Sequence, residues 1–145
     1  MNLSDDGEFF DLLTGSYARL VGSPLVPTGS GPRWLYHEAP FAVVAHNTDP
    51  DPRFVYANEA AQRCFEYSWD EFTALRSRFS AEVADQAERQ QLLDAVTRNG
   101  FMNGYRGMRV ARSGRRFWIR DGVVWQLVDI NGVQRGQAAT FPIEG

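Results

Sequence analysis

The chain contains no lysine, a single cysteine, two histidines and no long apolar run, and each shortage excludes something. A phosphate-cradling P-loop needs its lysine, so that class is closed. Zinc takes three or four Cys, His or carboxylate ligands, and Cys64, His37 and His46 are a thin supply for it. A lone thiol cannot close an internal disulfide, which points to a reducing compartment and a cytoplasmic protein. No segment approaches the length of a membrane span, and the acidic start, with Asp5, Asp6 and Glu8, is unlike a signal peptide. No Gly-x-Gly-x-x-Gly follows a strand pattern and no Gly-x-Ser-x-Gly is present, so neither a dinucleotide fold nor a hydrolase elbow is signalled.

What is present suits one ordinary domain: 145 residues, 43% hydrophobic and 23% charged. Net charge is −3, yet from Arg98 onward eight arginines stand against three acids. A solvated sheet face is the first account of these arginines and an anion or partner-protein surface the second. Nucleic acid comes last, because the rings needed for base stacking are committed to the interior and the overall charge is negative.

Residues 5–21 read as a helix with Ser4 as its N-cap and Gly22 as its stop. Phe10, Leu13, Tyr17 and Leu20 recur along it at helical spacing and form one apolar stripe. A Pro/Gly/Ser-rich stretch over 23–37 reads as a linker, which divides the chain into an arm (1–22), that linker and a domain (38–145). Within the domain, 40–46 and 53–57 are short strands around the breaker "NTDPDP". Asn58 caps the helix that follows. Ser68 and Glu71 make a capping box, with Tyr67 and Phe72 placed as a hydrophobic staple. The longest helix spans 80–100, with Ser80 as its cap and Val83, Ala87, Leu92, Leu93 and Val96 on its buried side. The pattern then alternates through three strands, about 103–112, 115–130 and 133–141, with turns at Ser113–Gly114 and Asn131–Gly132. The second turn carries a type I′ signal. Asp121–Gly122 should bulge or bend the long middle strand.

Helix then β-β-α-α-α-β-β-β makes an α+β fold: a five-stranded antiparallel sheet with helices on one face, plus the N-terminal amphipathic helix. With "APFAVVAHNTDPDPRFVYANEAAQRCFEYSWDEF", "RQQLLDAV", "GRRFWIRDGVVWQLVD" and "GQAATF" in that order, the chain resembles a PAS domain. It is more closely similar to the MEKHLA family, a PAS-like module found alone in bacteria and at the C-terminus of plant class III homeodomain–leucine zipper regulators. The resemblance covers roughly residues 38–141 and implies a non-enzymatic sensory or protein-interaction module.

PAS-like modules bring specific cofactors to mind. "QRCFEY" superficially resembles the flavin-site motif of photosensors, but Cys64 lies on the first helix after Asn58 and its flanks do not match. Haem-binding members supply a histidine from the long helix, and 80–100 contains none. No cofactor is therefore expected, and Cys64 reads as an inert core thiol. Alternation places Phe117 and Ile119 on one face of the middle strand and Val123, Trp125 and Leu127 together after the bend, with Trp118 and Trp125 on opposite faces. With Phe41, Val43, Phe65 and Trp69, the residues Phe117, Ile119, Trp125 and Leu127 would line a pocket for a small apolar or aromatic ligand, or simply fill a core. The arm stripe must be buried somewhere, either on its own sheet or in a homodimer, and the dimer is the expectation; otherwise the partner is a separate regulatory protein. An alternative is a small cone-shaped α+β enzyme of isomerase or dehydratase type. It would need His46, Tyr105 or Asp121 facing an apolar pocket, whereas an exposed Asp121 on a bulge would favour the module.

Overall fold

A computed structural model describes residues 3–81 and 83–143, apart from the side chains of residues 83–85. Its elements are α1 (Gly7–Val21), α2 (Pro32–His37), β1 (Phe41–His46), β2 (Phe54–Ala57), α3 (Glu59–Phe65), α4 (Trp69–Thr73), α5 (Val83–Asn99), β3 (Phe101–Val110), β4 (Arg116–Val128) and β5 (Gln134–Pro142). The strands form one antiparallel sheet in the order β2-β1-β5-β4-β3. The chain leaves one edge at β2, runs through α3, α4 and α5 across one face, and re-enters at the far edge with β3.

Local chemistry explains most boundaries. The Glu71 amide donates to Ser68 Oγ at 3.2 Å and the Ser68 amide to Glu71 Oε1 at 3.0 Å, completing the capping box. Tyr67 and Phe72 meet with ring centroids 5.6 Å apart, completing the staple. Asn58 is fully buried and uses both ends of its amide. Its Oδ1 accepts from the Val43 and Ala61 amides, and its Nδ2 donates to the Leu35 and Phe41 carbonyls. One side chain thus caps α3 and ties it to α2 and β1.

Several boundaries depart from the sequence reading. Asp6, not Ser4, caps α1, accepting from the Phe9 amide at 2.9 Å. The stretch read as linker contains α2, started by Pro32 at its first turn. Ser80 does not cap α5: its hydroxyl donates to the Ser77 carbonyl at 2.7 Å. Ala87 is exposed rather than buried, and Val83, also placed on that side, lies outside the described side chains. The β4–β5 connection is not a two-residue type I′ turn. Asp129 Oδ1 accepts from the Asn131 and Val133 amides, and of the turn residues only Gly132 takes positive φ, at 80°. That is the three-residue loop with a left-handed glycine.

The helices between β2 and β3 lie on one face of the sheet, as expected, and the N-terminal helix takes the other. α3 and α5 cover the inner face with a core of Phe54, Phe65, Phe72, Leu92, Val96 and Phe141. α1 lies on the outer face, in a second core around Leu13, Leu35, Val43, Tyr56, Trp125 and Leu127. The arm stripe packs within its own chain. Leu13 is fully buried, Phe10, Tyr17 and Leu20 are half-buried in the same cluster, and Tyr17 meets Trp125 edge-on at 4.9 Å. The stripe expected at a dimer contact is therefore already covered. The motive is β4 itself, whose outward rings would otherwise face water.

The bulge in β4 is where the sequence placed it. Asp121 takes φ 52°, and two residues of β4, Arg120 and Asp121, lie between the partners of Tyr105 and Gly107, which have only one residue between them on β3. The extra residue reverses the parity of the strand. Ile119 and Val124 both face the inner core, and Trp118 and Trp125 both face outward instead of opposite ways.

Candidate functional site

The parity change decides which residues meet. Of the eight expected to line one pocket, only Phe65 and Ile119 do so. Phe117 packs at the margin of the inner core, outside the lining. Phe41, Val43, Trp69, Trp125 and Leu127 belong to the outer core beneath α1. The inner side instead holds a cavity of about 60 Å³, walled by α5, the Ser77–Ser80 turn and the inner faces of β1, β3, β4 and β5. An engineered cavity of about 150 Å³ is what accepts a benzene ring, so an aromatic ligand does not fit this one.

Two arginines, which sequence reasoning missed, dominate its wall. Arg89 is 6% and Arg109 8% exposed. Arg109 follows Tyr105 and Gly107 on the inward parity of β3. Its Nη2 donates to Tyr105 Oη at 2.6 Å and its Nη1 to the Met108 carbonyl at 2.8 Å. Gly107 leaves room for that ring, since a Cβ would stand 2.1 Å from Tyr105 Oη and push the tyrosine aside. Arg89 rises from α5 on the same face as Leu92 and Val96 and donates to Ser77 Oγ. Burial, and secondarily the charge of Arg109, brings the Arg89 pKa down to about 10. None of the ion pairs among the described residues involves either guanidinium, and no Asp or Glu lines the cavity. The signal for Arg89 was its helical phase, three residues before Leu92. The signal for Arg109 was its alternation with Tyr105 and Ala111.

His46 and Gln137 close the β1–β5 end. His46 Nδ1 meets the Asn47 carbonyl at 3.0 Å, and since a carbonyl only accepts, the proton sits on Nδ1. Burial lowers the His46 pKa to about 4, so the ring is neutral near pH 7. Gln137 Nε2 donates to the Leu93 carbonyl and Thr97 Oγ1, clamping α5 to the sheet. That leaves His46 Nε2 and Gln137 Oε1 buried without a partner among the described residues.

The acid–base candidates are not assembled. Tyr105 and His46 reach the cavity, but Asp121 is exposed on the bulge. Among the described residues no group of three His, Cys, Asp or Glu side chains could hold a metal ion. Cys64 is half-buried outside the cavity wall, and burial raises its thiol pKa. A flavin does not fit these residues, since its three fused rings exceed a space already too small for one. His37 sits apart on α2, with Nδ1 3.1 Å from Glu59. Much of the C-terminal arginine excess is paired or stacked: Arg112 with Glu71, Arg115 with Glu66, Arg135 with Asp129 and Arg106 over the Trp118 ring. Among the described residues no helix is long and apolar enough to cross a membrane.

Comparison with solved structures returns the same fold. A PAS domain of a protein from Colwellia psychrerythraea superposes with a TM-score of 0.65 at 14% identity, covering 74% of this chain and 90% of that one. A variant of the fungal photoreceptor Vivid gives 0.62 at 19% identity, covering 91% and 93%. An RNA-binding light-oxygen-voltage receptor gives 0.64 at 24% identity, covering 84% of this chain and 35% of the receptor. No curated protein matches the sequence. The MEKHLA domain model matches residues 7–143, from the first residue of α1 past the end of β5, and the chain belongs to the MEKHLA domain family.

Proposed function

We propose that this chain is a non-enzymatic sensory module that binds a small molecule between α5 and the inner face of the sheet. The observation that carries the reading is the cavity itself: an apolar chamber into which two buried guanidinium groups project with no carboxylate among its described lining residues, Asp51 reaching Arg89 only from outside it. Burying charge is costly unless something is gained from it, and neither arginine is needed to complete the fold's hydrogen-bond ladders. A ligand there touches α5, which Arg89, Gln137 and Gln126 clamp to its surroundings through polar side-chain contacts. Differential binding to two arrangements of α5 would convert occupancy into a change of surface. The receiver is then a second protein or a second copy of the chain, engaged through a surface other than the α1 stripe. The lone thiol suits a cytoplasmic setting. The enzyme alternative lacks support, because the cavity brings no acid opposite His46 and Asp121 points away.

The test is amide-resolved NMR on the full chain titrated with a panel of small metabolites. Shift changes should cluster on α5 and the inward positions of β3 and β5. A panel that moves no resonance, or only the α1 side, rejects the reading.

A further inference from the structure

We propose that the ligand of this cavity is a short 2-hydroxy carboxylate, its carboxylate set against Arg89 and Arg109 and its hydroxyl donating to His46 Nε2 or Gln137 Oε1. The inference rests on the ligand-binding reading above and names its chemistry. Three observations converge. Two guanidinium groups, each more than nine-tenths buried, face one chamber and repel each other; Asp51 lends Arg89 a favourable charge from outside it, and no carboxylate among the described residues lines it, so an anion there would complement them. Both retain N–H groups beyond those given to Ser77, Tyr105 and Met108. Across the chamber lie two acceptors without a partner among the described residues. His46 and Gln137 are direct cross-strand partners, so their side chains leave the sheet together on the cavity side.

An acceptor pair wants a donor, which a simple carboxylate does not offer. A water molecule would satisfy the acceptors but leave the guanidinium charge unmatched. A molecule with an anionic end and a nearby hydroxyl answers both at once, whereas a hydroxyl-free anion needs a water beside it. The volume of about 60 Å³ is well under the roughly 150 Å³ of a cavity that accepts benzene, which favours the shortest members of the class. Glycolate carries that pattern in the smallest form, and lactate carries it with one carbon more.

The test is calorimetric titration of the full chain at neutral pH and constant ionic strength with sodium glycolate, sodium lactate, sodium acetate and lactamide. Saturable binding of glycolate or lactate, at least tenfold tighter than acetate and with no lactamide binding, supports the assignment. Lactamide binding as well as lactate overturns the anion assignment while leaving the cavity as a ligand site. Acetate matching glycolate overturns the hydroxyl assignment. No binding by any of the four overturns both this inference and, together with an unresponsive NMR panel, the reading beneath it. Arg109→Met should abolish glycolate binding with the fold retained by circular dichroism. Gln137→Met, which leaves both arginines in place, should bring the glycolate-to-acetate preference toward one, and an unchanged preference overturns the role of that acceptor.

Discussion

The two faces of the same sheet are built on opposite principles. The outer face is sealed by rings. Trp125 is fully buried, its indole N–H reaches the Leu13 carbonyl at 3.3 Å, and Tyr17 stands edge-on against it. Ser16 both donates to the Val128 carbonyl and accepts from its amide, so a polar group in that layer is answered locally; Tyr56, whose hydroxyl has no partner among the described residues, is the exception. The inner face keeps a hollow, two buried cations and two acceptors unanswered among the described residues. Close packing leaves no room for a guest, and a guest site forgoes close packing. Stability should therefore be concentrated under α1 and binding under α5.

The largest expected effect breaks the outer face. Trp125→Ala removes the ring that α1 packs on and should cost about 4 kcal/mol in urea unfolding. For a domain of this size that lowers the melting temperature by about 10 °C. A loss below about 1 kcal/mol would mean the two faces do not differ as described.

Gly136→Ala comes next and strikes the strand both faces share. The glycine takes φ 148°, and a Cβ there would lie 2.1 Å from the His46 carbonyl oxygen, a backbone atom that cannot swing aside. The expected loss is about 3 kcal/mol, read by the same denaturant titration. Alanine accepted without loss would show that β1 and β5 can part at that point.

These two sites mark what was legible in the sequence. The capping box, the Asn58 cap, the sheet and the bulge at Asp121–Gly122 are local devices, written in neighbouring residues. The site required a consequence of one of them. Simple alternation carried across the bulge groups Trp125 and Leu127 with Ile119, whereas the extra residue turns them to the other face. Arg89 was hidden by its charge, since arginines on helices usually meet water, although its phase aligns with Leu92 and Val96. The α1 stripe announced that it must be covered without saying by what; the outward rings of β4 supply the answer only once the parity is known.

Acid should loosen the inner face first. His46 is buried neutral, with its pKa lowered to about 4 by burial, whereas in the unfolded chain it titrates near 6.5. The unfolded state therefore binds the extra proton between those values, and stability is complete above pH 6.5 and declines as pH falls toward 4. Between pH 6.5 and 5 the loss should reach about 2 kcal/mol. Glu66, Glu71 and Asp129, whose pKa values are lowered by hydrogen bonds, add their own losses only at lower pH. His46→Gln should flatten the decline between pH 6.5 and 5, and an unchanged slope in that variant would assign the effect to another group.

The smallest change in stability is expected where the change in binding is largest. Arg89→Met replaces a buried cation with an apolar side chain of similar length, removes its repulsion with Arg109 and gives up one hydrogen bond to Ser77. Exchanging a buried charge for a packed apolar group is often neutral or stabilising, so the variant should lie within about 1 kcal/mol of the parent chain. Glycolate affinity should fall at least tenfold in the same protein. A loss of 3 kcal/mol or more would show that Arg89 belongs to the architecture of the inner face rather than to its guest, because the one hydrogen bond to Ser77 accounts for about 1–2 kcal/mol at most.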